Sequence, residues 1–112
     1  MKIAVAVENN IVSEHFGHCE NFCFFNIENN KIISREKVAN PGHKPGFLPL
    51  FLKEKGINLI IAGGMGGGAV QLFIDNDIEV ITGVVGDVEE VINKFLKKEL
   101  VYTNKICDSH NH

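Results

Sequence analysis

Two short runs of small and β-branched apolar residues, Ile3-Ala4-Val5-Ala6-Val7 and Leu59-Ile60-Ile61-Ala62, constrain the fold more than any other feature. Neither alternates with polar residues, so each suits a strand covered on both faces, as in a parallel sheet flanked by helices. Both are far shorter than the roughly 20 residues needed to span a bilayer. The opening Met1-Lys2-Ile3 also lacks the long apolar stretch and cleavage site of a secretory leader. A cytoplasmic protein with no membrane partner is therefore expected.

Strands are predicted over Lys2 to Val7 and Asn58 to Ala62, with other elements around them. Asn21 to Ile27 and Lys31 to Val38 are strand-like and joined by Glu28-Asn29-Asn30. Asn tolerates left-handed backbone angles, so a hairpin follows. Phe47 to Lys55 carries Leu48, Phe51 and Leu52 at helical spacing, with Pro49 in its first turn and Gly56 at its end. Ala69 to Asp75 repeats the pattern with Val70, Phe73 and Ile74, and Glu79 to Thr82 forms another strand. Asp87 caps a last helix that buries Val88, Val91, Ile92, Phe95 and Leu96. Glu89 and Glu90 lie at its start and lysines at its end, as the macrodipole favours.

The order β, hairpin, α, β, α, β, α requires two right-handed crossovers. It predicts an α/β fold with a ribonuclease H-like arrangement: a mixed five-stranded sheet, an antiparallel hairpin plus parallel strands, with helices on both faces. Residues 1–103 form the expected domain, and 104–112 a polar Cys/His tail. The predicted core is Ile3, Val5, Val7, Ile60, Ile61, Phe73, Val80, Val91 and Phe95. In such a sheet the first strand lies beside the strand ending at Ala62, and ligands favour the crevice beyond the strand ends where chain order reverses. The loops reaching that point are Glu8 to Glu20 and Gly63 to Gly68.

The 112 residues hold 11 basic and 14 acidic side chains, a net charge of −3. With scattered lysines and no basic patch, nucleic-acid binding is not expected. Three cysteines cannot all pair within the chain, which disfavours a disulfide scaffold and directs interest to free thiols.

His15-Phe16-Gly17-His18-Cys19 places imidazole and thiol donors in one polar loop, and these are the usual ligands of zinc, iron and copper. Cys23 lies within Phe22-Cys23-Phe24-Phe25 and reads as a small core residue. A second donor set, Cys107, His110 and His112, ends the chain and could complete a site begun by the loop. Gly64-Met65-Gly66-Gly67-Gly68-Ala69 formally fits a dinucleotide loop, but no acid stands at the end of the following strand. The helix start after it still offers bare N–H groups to an anion. A two-metal nuclease fails on residue types, because Glu8 has no acidic counterpart in Ala62-Gly63-Gly64. A thiol hydrolase built on Cys19 with His15 or His18 lacks an orienting acid and an oxyanion motif.

Ser13-Glu14-His15-Phe16-Gly17-His18, Asn40-Pro41-Gly42-His43, Ile60-Ile61-Ala62-Gly63-Gly64-Met65-Gly66 and Gly83-Val84-Val85-Gly86-Asp87-Val88-Glu89-Glu90 occur here in order. The chain in this respect resembles the dinitrogenase iron–molybdenum cofactor biosynthesis family, the small NifX-like and NifB C-terminal domains, from Lys2 to about Leu100. The resemblance implies a ribonuclease H-like fold and a non-enzymatic protein that binds or carries a metal–sulfur cluster, iron–sulfur or molybdenum-containing. Cluster contacts would come from His15, Phe16, Gly17, Gly63, Gly64, Met65 and Gly66. His15, His18, Cys19, Cys107, His110 and His112 are the candidate metal ligands. Donor and acceptor proteins would be the partners of a monomer or weak homo-oligomer. Two alternatives stand beside this: a mononuclear zinc or transition-metal site, and a metal-free regulatory interaction module.

Overall fold

The computed structural model describes residues 1–42 and 46–106. Its strands are β1 (Lys2–Glu8), β2 (Ile11–Val12), β3 (Asn21–Glu28), β4 (Lys31–Ala39), β5 (Leu59–Ile61), β6 (Glu79–Thr82) and β7 (Asn104–Ile106). The helices are α1 (Phe47–Glu54), α2 (Gly67–Asp75) and α3 (Val88–Leu96). All strands join one mixed sheet in the order β4-β3-β1-β5-β6-β7, with β2 pairing β1 off that path. β1, β5 and β6 run parallel, and the β1–β3, β3–β4 and β6–β7 pairs are antiparallel.

The five strands expected from the sequence are present, but the described residues form seven. β2 turns back on β1 through Asn9 and Asn10, whose φ angles of 50° and 65° match those of Asn29 and Asn30 at the β3–β4 turn. β7 arises at the start of the expected polar tail and pairs with β6, Ile81 opposite Lys105. Edge strands bury one flank only and tolerate polar residues, which is why its sequence carries no strand signature.

The pleat sorts β1 to two different layers. Ile3, Val5 and Val7 face α3, together with Phe25, Leu59, Ile61, Val88, Val91 and Ile92. Ala4 and Ala6 face α1 and α2, with Phe22, Ile60, Leu48, Leu52 and Phe73. Small residues in the central strand leave room on that side for aromatic rings, including Phe16 from the loop after β2. Of the predicted core all but Phe95 is buried; Phe95 is half-buried and packs against the α3 layer. Asp87 caps α3 as expected, its carboxylate accepting from the N–H groups of Glu89 and Glu90 at 3.0 and 3.3 Å.

No helix among the described residues is long and apolar enough to cross a membrane. The outer strand β4 carries Lys31, Arg35, Glu36 and Lys37, all exposed. Charges in such a row discourage another strand from adding to the sheet edge.

Candidate functional site

The loop between β2 and β3 begins with a local brace. Ser13 Oγ accepts from His15 N–H at 3.2 Å and donates to the His15 carbonyl at 3.1 Å. A single 3-10 turn, Phe16–His18, follows. Side chains three apart eclipse one another on such a turn. Phe16 and Cys19 consequently point inward, while His15 and His18 are exposed on the other side. Phe16 is the anchor, with its ring centroid 5.2 Å from Phe73 in an edge-on contact and 5.8 Å from Phe22.

The glycine loop splits into two parts with different tasks. Gly63 donates to the Ser13 carbonyl at 2.8 Å, and Gly64 accepts from Phe16 N–H at 3.0 Å. A Cβ on Gly63 would lie 2.8 Å from the Ser13 oxygen, and one on Gly64 2.6 Å from the Glu14 oxygen. These two glycines exist to let the loops touch. Gly66, Gly67 and Gly68 have open space where a Cβ would go, and they line or approach the solvent side.

Between the loops lies a cleft of about 670 Å³. Its walls are Glu14, His15, Phe16, Gly17 and His18 on one side and Gly64, Met65, Gly66, Gly68 and Ala69 on another. Gly46, Leu48, Pro49 and Leu72 complete it from α1 and α2. Both helices start here. Neither N-cap residue, Gly46 or Gly66, provides a side-chain cap, so among the described residues the first-turn N–H groups, Pro49 having none, are left for an anion to use. The α1 wall was absent from the sequence reading. Pro49 in the first turn marked a helix start, but not its location beside the His15 loop.

Of the sequence candidates, the structure brings together His15, Phe16, Gly17, His18, Gly64, Met65 and Gly66. Gly63 stands behind the cleft wall, holding Ser13. Cys19, expected beside the two imidazoles, does not line the cleft. It is 3% exposed and packed in the α1/α2 layer, where burial pushes its thiol up to about 11 despite the Asn40 amide 3.7 Å away. A neutral, enclosed thiol is a poorer ligand and nucleophile than an exposed thiolate. Cys23 is buried on the opposite layer, as read, with its thiol raised by the same cause. Among the described residues no three of His, Cys, Asp and Glu converge to hold a metal ion, so the mononuclear zinc site finds no support. Cys107, His110 and His112 lie outside the described residues.

Asn40 ties the end of the His15 loop to the connector after β4. Its side-chain amide donates to the Cys19 carbonyl at 2.9 Å and the Gly17 carbonyl at 3.4 Å, while its Oδ1 accepts from Gly42 N–H at 2.9 Å. The sequence reading used it only within the Asn40-Pro41-Gly42-His43 motif and gave it no role of its own.

Known proteins share this frame. The family model described as dinitrogenase iron–molybdenum cofactor matches residues 1–98. An uncharacterized protein of Methanocaldococcus jannaschii is 34% identical over 105 residues, covering 89% of this chain and 89% of that protein. The crystal structure of PH0822 is similar with a TM-score of 0.87 at 33% identity, covering 91% of this chain and 94% of that one. The apo form of the orange protein from Desulfovibrio gigas gives 0.76 at 22% identity, covering 91% and 92%, a likeness of fold alone.

Proposed function

This chain belongs to the dinitrogenase iron–molybdenum cofactor family, and from that premise we propose that it binds a preassembled metal–sulfur cluster in the His15 cleft and carries it between proteins. One observation carries the reading. The cleft offers two exposed imidazoles, apolar walls and two uncapped helix starts, but no described thiol. A cluster assembled on the protein would need thiolates to hold its irons. A cluster that arrives with its own sulfides needs only one or two donors and a surround that favours negative charge, which helix N-termini give.

In this proposal His15 is the direct metal contact and His18 a second donor. Phe16, Gly17, Met65 and Gly66 shape the pocket, while Gly63 and Gly64 hold its wall. The cargo is an iron–sulfur or molybdenum-containing cluster. The protein transfers it without catalysis, acting in the cytoplasm between donor and acceptor proteins rather than on nucleic acid or membrane. The charged β4 edge supports a monomer or weak homo-oligomer. The ribonuclease H-like assignment belongs to the same proposal. Its support is the placement of β1 at the centre, with an antiparallel hairpin on one side and parallel β5 and β6 on the other.

The test is anaerobic reconstitution with iron–molybdenum and iron–sulfur clusters, followed by metal and sulfide analysis and absorption spectroscopy. The expected result is uptake of metal with acid-labile sulfide, lost or weakened in His15→Ala. Absence of uptake, or uptake indifferent to His15→Ala, would overturn the cluster site and leave a metal-free interaction module.

A further inference from the structure

A second cavity lies on the far side of the sheet, where α3 ends against β6 and β7. It measures about 410 Å³, within the range of small-molecule sites. Its lining is mixed, with an apolar part made by Ile81 from β6, Phe95 and Leu96 from α3, and Leu100 from the connector to β7. Tyr102 adds an aromatic wall and Asn30 an amide from the β3–β4 turn.

Two lysines border this apolar lining. Lys105 reaches it from β7, directly opposite Ile81 in the strand register. Lys98 reaches it from the end of α3. Among the described residues no carboxylate lines the cavity and neither ammonium has a carboxylate partner, the ion pair found there being Arg35–Glu89.

Lys98 follows the last turn of α3. Its φ is +62°, the left-handed position just past a helix end where glycine or asparagine is ordinarily found. A lysine there bears a backbone strain that glycine would remove. Its side chain lines the cavity.

We infer that this cavity binds a small amphipathic anion, a carboxylate with an aliphatic or aromatic body, held by Lys98 and Lys105 over an apolar floor. The body occupies the space between Phe95, Leu96, Leu100 and Ile81. The carboxylate meets the two ammonium groups in charge-assisted hydrogen bonds. The site is independent of the His15 cleft, so its fate and that of the cluster reading are separate.

The experiment is a titration of the full chain with octanoate, followed by amide NMR shifts, with 1-octanol as the uncharged control. Saturable shifts confined to residues 95–106, 81 and 30 are expected. Lys98→Gln/Lys105→Gln, which leaves the backbone and both apolar walls in place, is expected to weaken octanoate by about tenfold or more. The same spectra report whether the variant is folded. Absence of saturation up to the solubility limit would overturn the proposal. So would shifts centred on the His15 cleft, equal binding of 1-octanol, or undiminished binding by the double variant.

Discussion

Replacing Gly64 with alanine tests whether the His15 loop is held by backbone contact or merely lies near the glycine loop. The new Cβ would stand 2.6 Å from the Glu14 oxygen, where ordinary contact begins at 3.4 Å, so the two segments must part by about 0.8 Å. The bonds from Phe16 N–H to Gly64 and from Gly63 N–H to Ser13, now 3.0 and 2.8 Å, would then lengthen beyond useful range. Their loss costs about 1 kcal/mol each, and the overpacking adds about 1 kcal/mol or more. The total of about 3 kcal/mol is a large part of the about 5–15 kcal/mol that stabilises a small domain. Urea unfolding followed by far-UV circular dichroism measures it. Gly67→Ala is the matched control, because its Cβ enters open space at a helix start. It should be neutral or stabilising by up to about 1 kcal/mol. A Gly64→Ala protein within about 0.5 kcal/mol of the parent, or a control equally damaged, would refute the reasoning.

Other perturbations separate the remaining contributions. Phe16→Ala removes the buried anchor between Phe22 and Phe73 and should cost about 3 kcal/mol or more by urea unfolding, with Phe16→Leu costing distinctly less. Asp87→Ala deletes the cap of α3 and should cost about 1 kcal/mol, most of which Asp87→Asn retains, as thermal unfolding will show. Because the folded Cys19 thiol is raised by burial to about 11 from an ordinary 9.0, its protonated form favours the fold. That stabilisation is complete below pH 9 and disappears as pH rises through about 11, so unfolding midpoints should fall across that window and do so less in Cys19→Ala. Asn40→Ala should loosen the turn from Gly17 to Cys19, seen as faster amide exchange there while the α3 layer keeps its protection.

What the sequence disclosed and what it concealed follow from different physics. The buried strands, the β3–β4 hairpin and α3 are legible because each rests on local chemistry: unbroken apolar runs, an Asn-Asn turn, a cap and a charge gradient. β2 had the same kind of signal and was missed. Asn9-Asn10 matches Asn29-Asn30 in residue type and backbone angle, but only two residues follow in strand conformation. β7 had no local signal at all, since its pairing with β6 supplies what its own residues lack. In the site, proximity along the chain grouped His15, His18 and Cys19 as one donor set. The turn decides otherwise, because a spacing of three puts Cys19 with Phe16 and His15 with His18. A period of three, read from the buried Phe16, would have separated the thiol from the imidazoles.

That separation bears on how such a cleft could release what it holds. Thiolate ligands bind iron–sulfur centres strongly, whereas an exposed imidazole is a single exchangeable donor. Contacts from helix N–H groups act on total charge rather than on one metal, so they hold an anionic cargo without fixing its identity. On the proposed reading, keeping Cys19 in the core and His15 at the surface makes for a holder that an acceptor with thiolates can outcompete. Burying His15 or exposing a thiol in the same wall would shift the balance from transfer towards storage. A Gly17→Cys protein, with open space at that position, is the variant in which the cluster should be retained longest against a thiolate competitor.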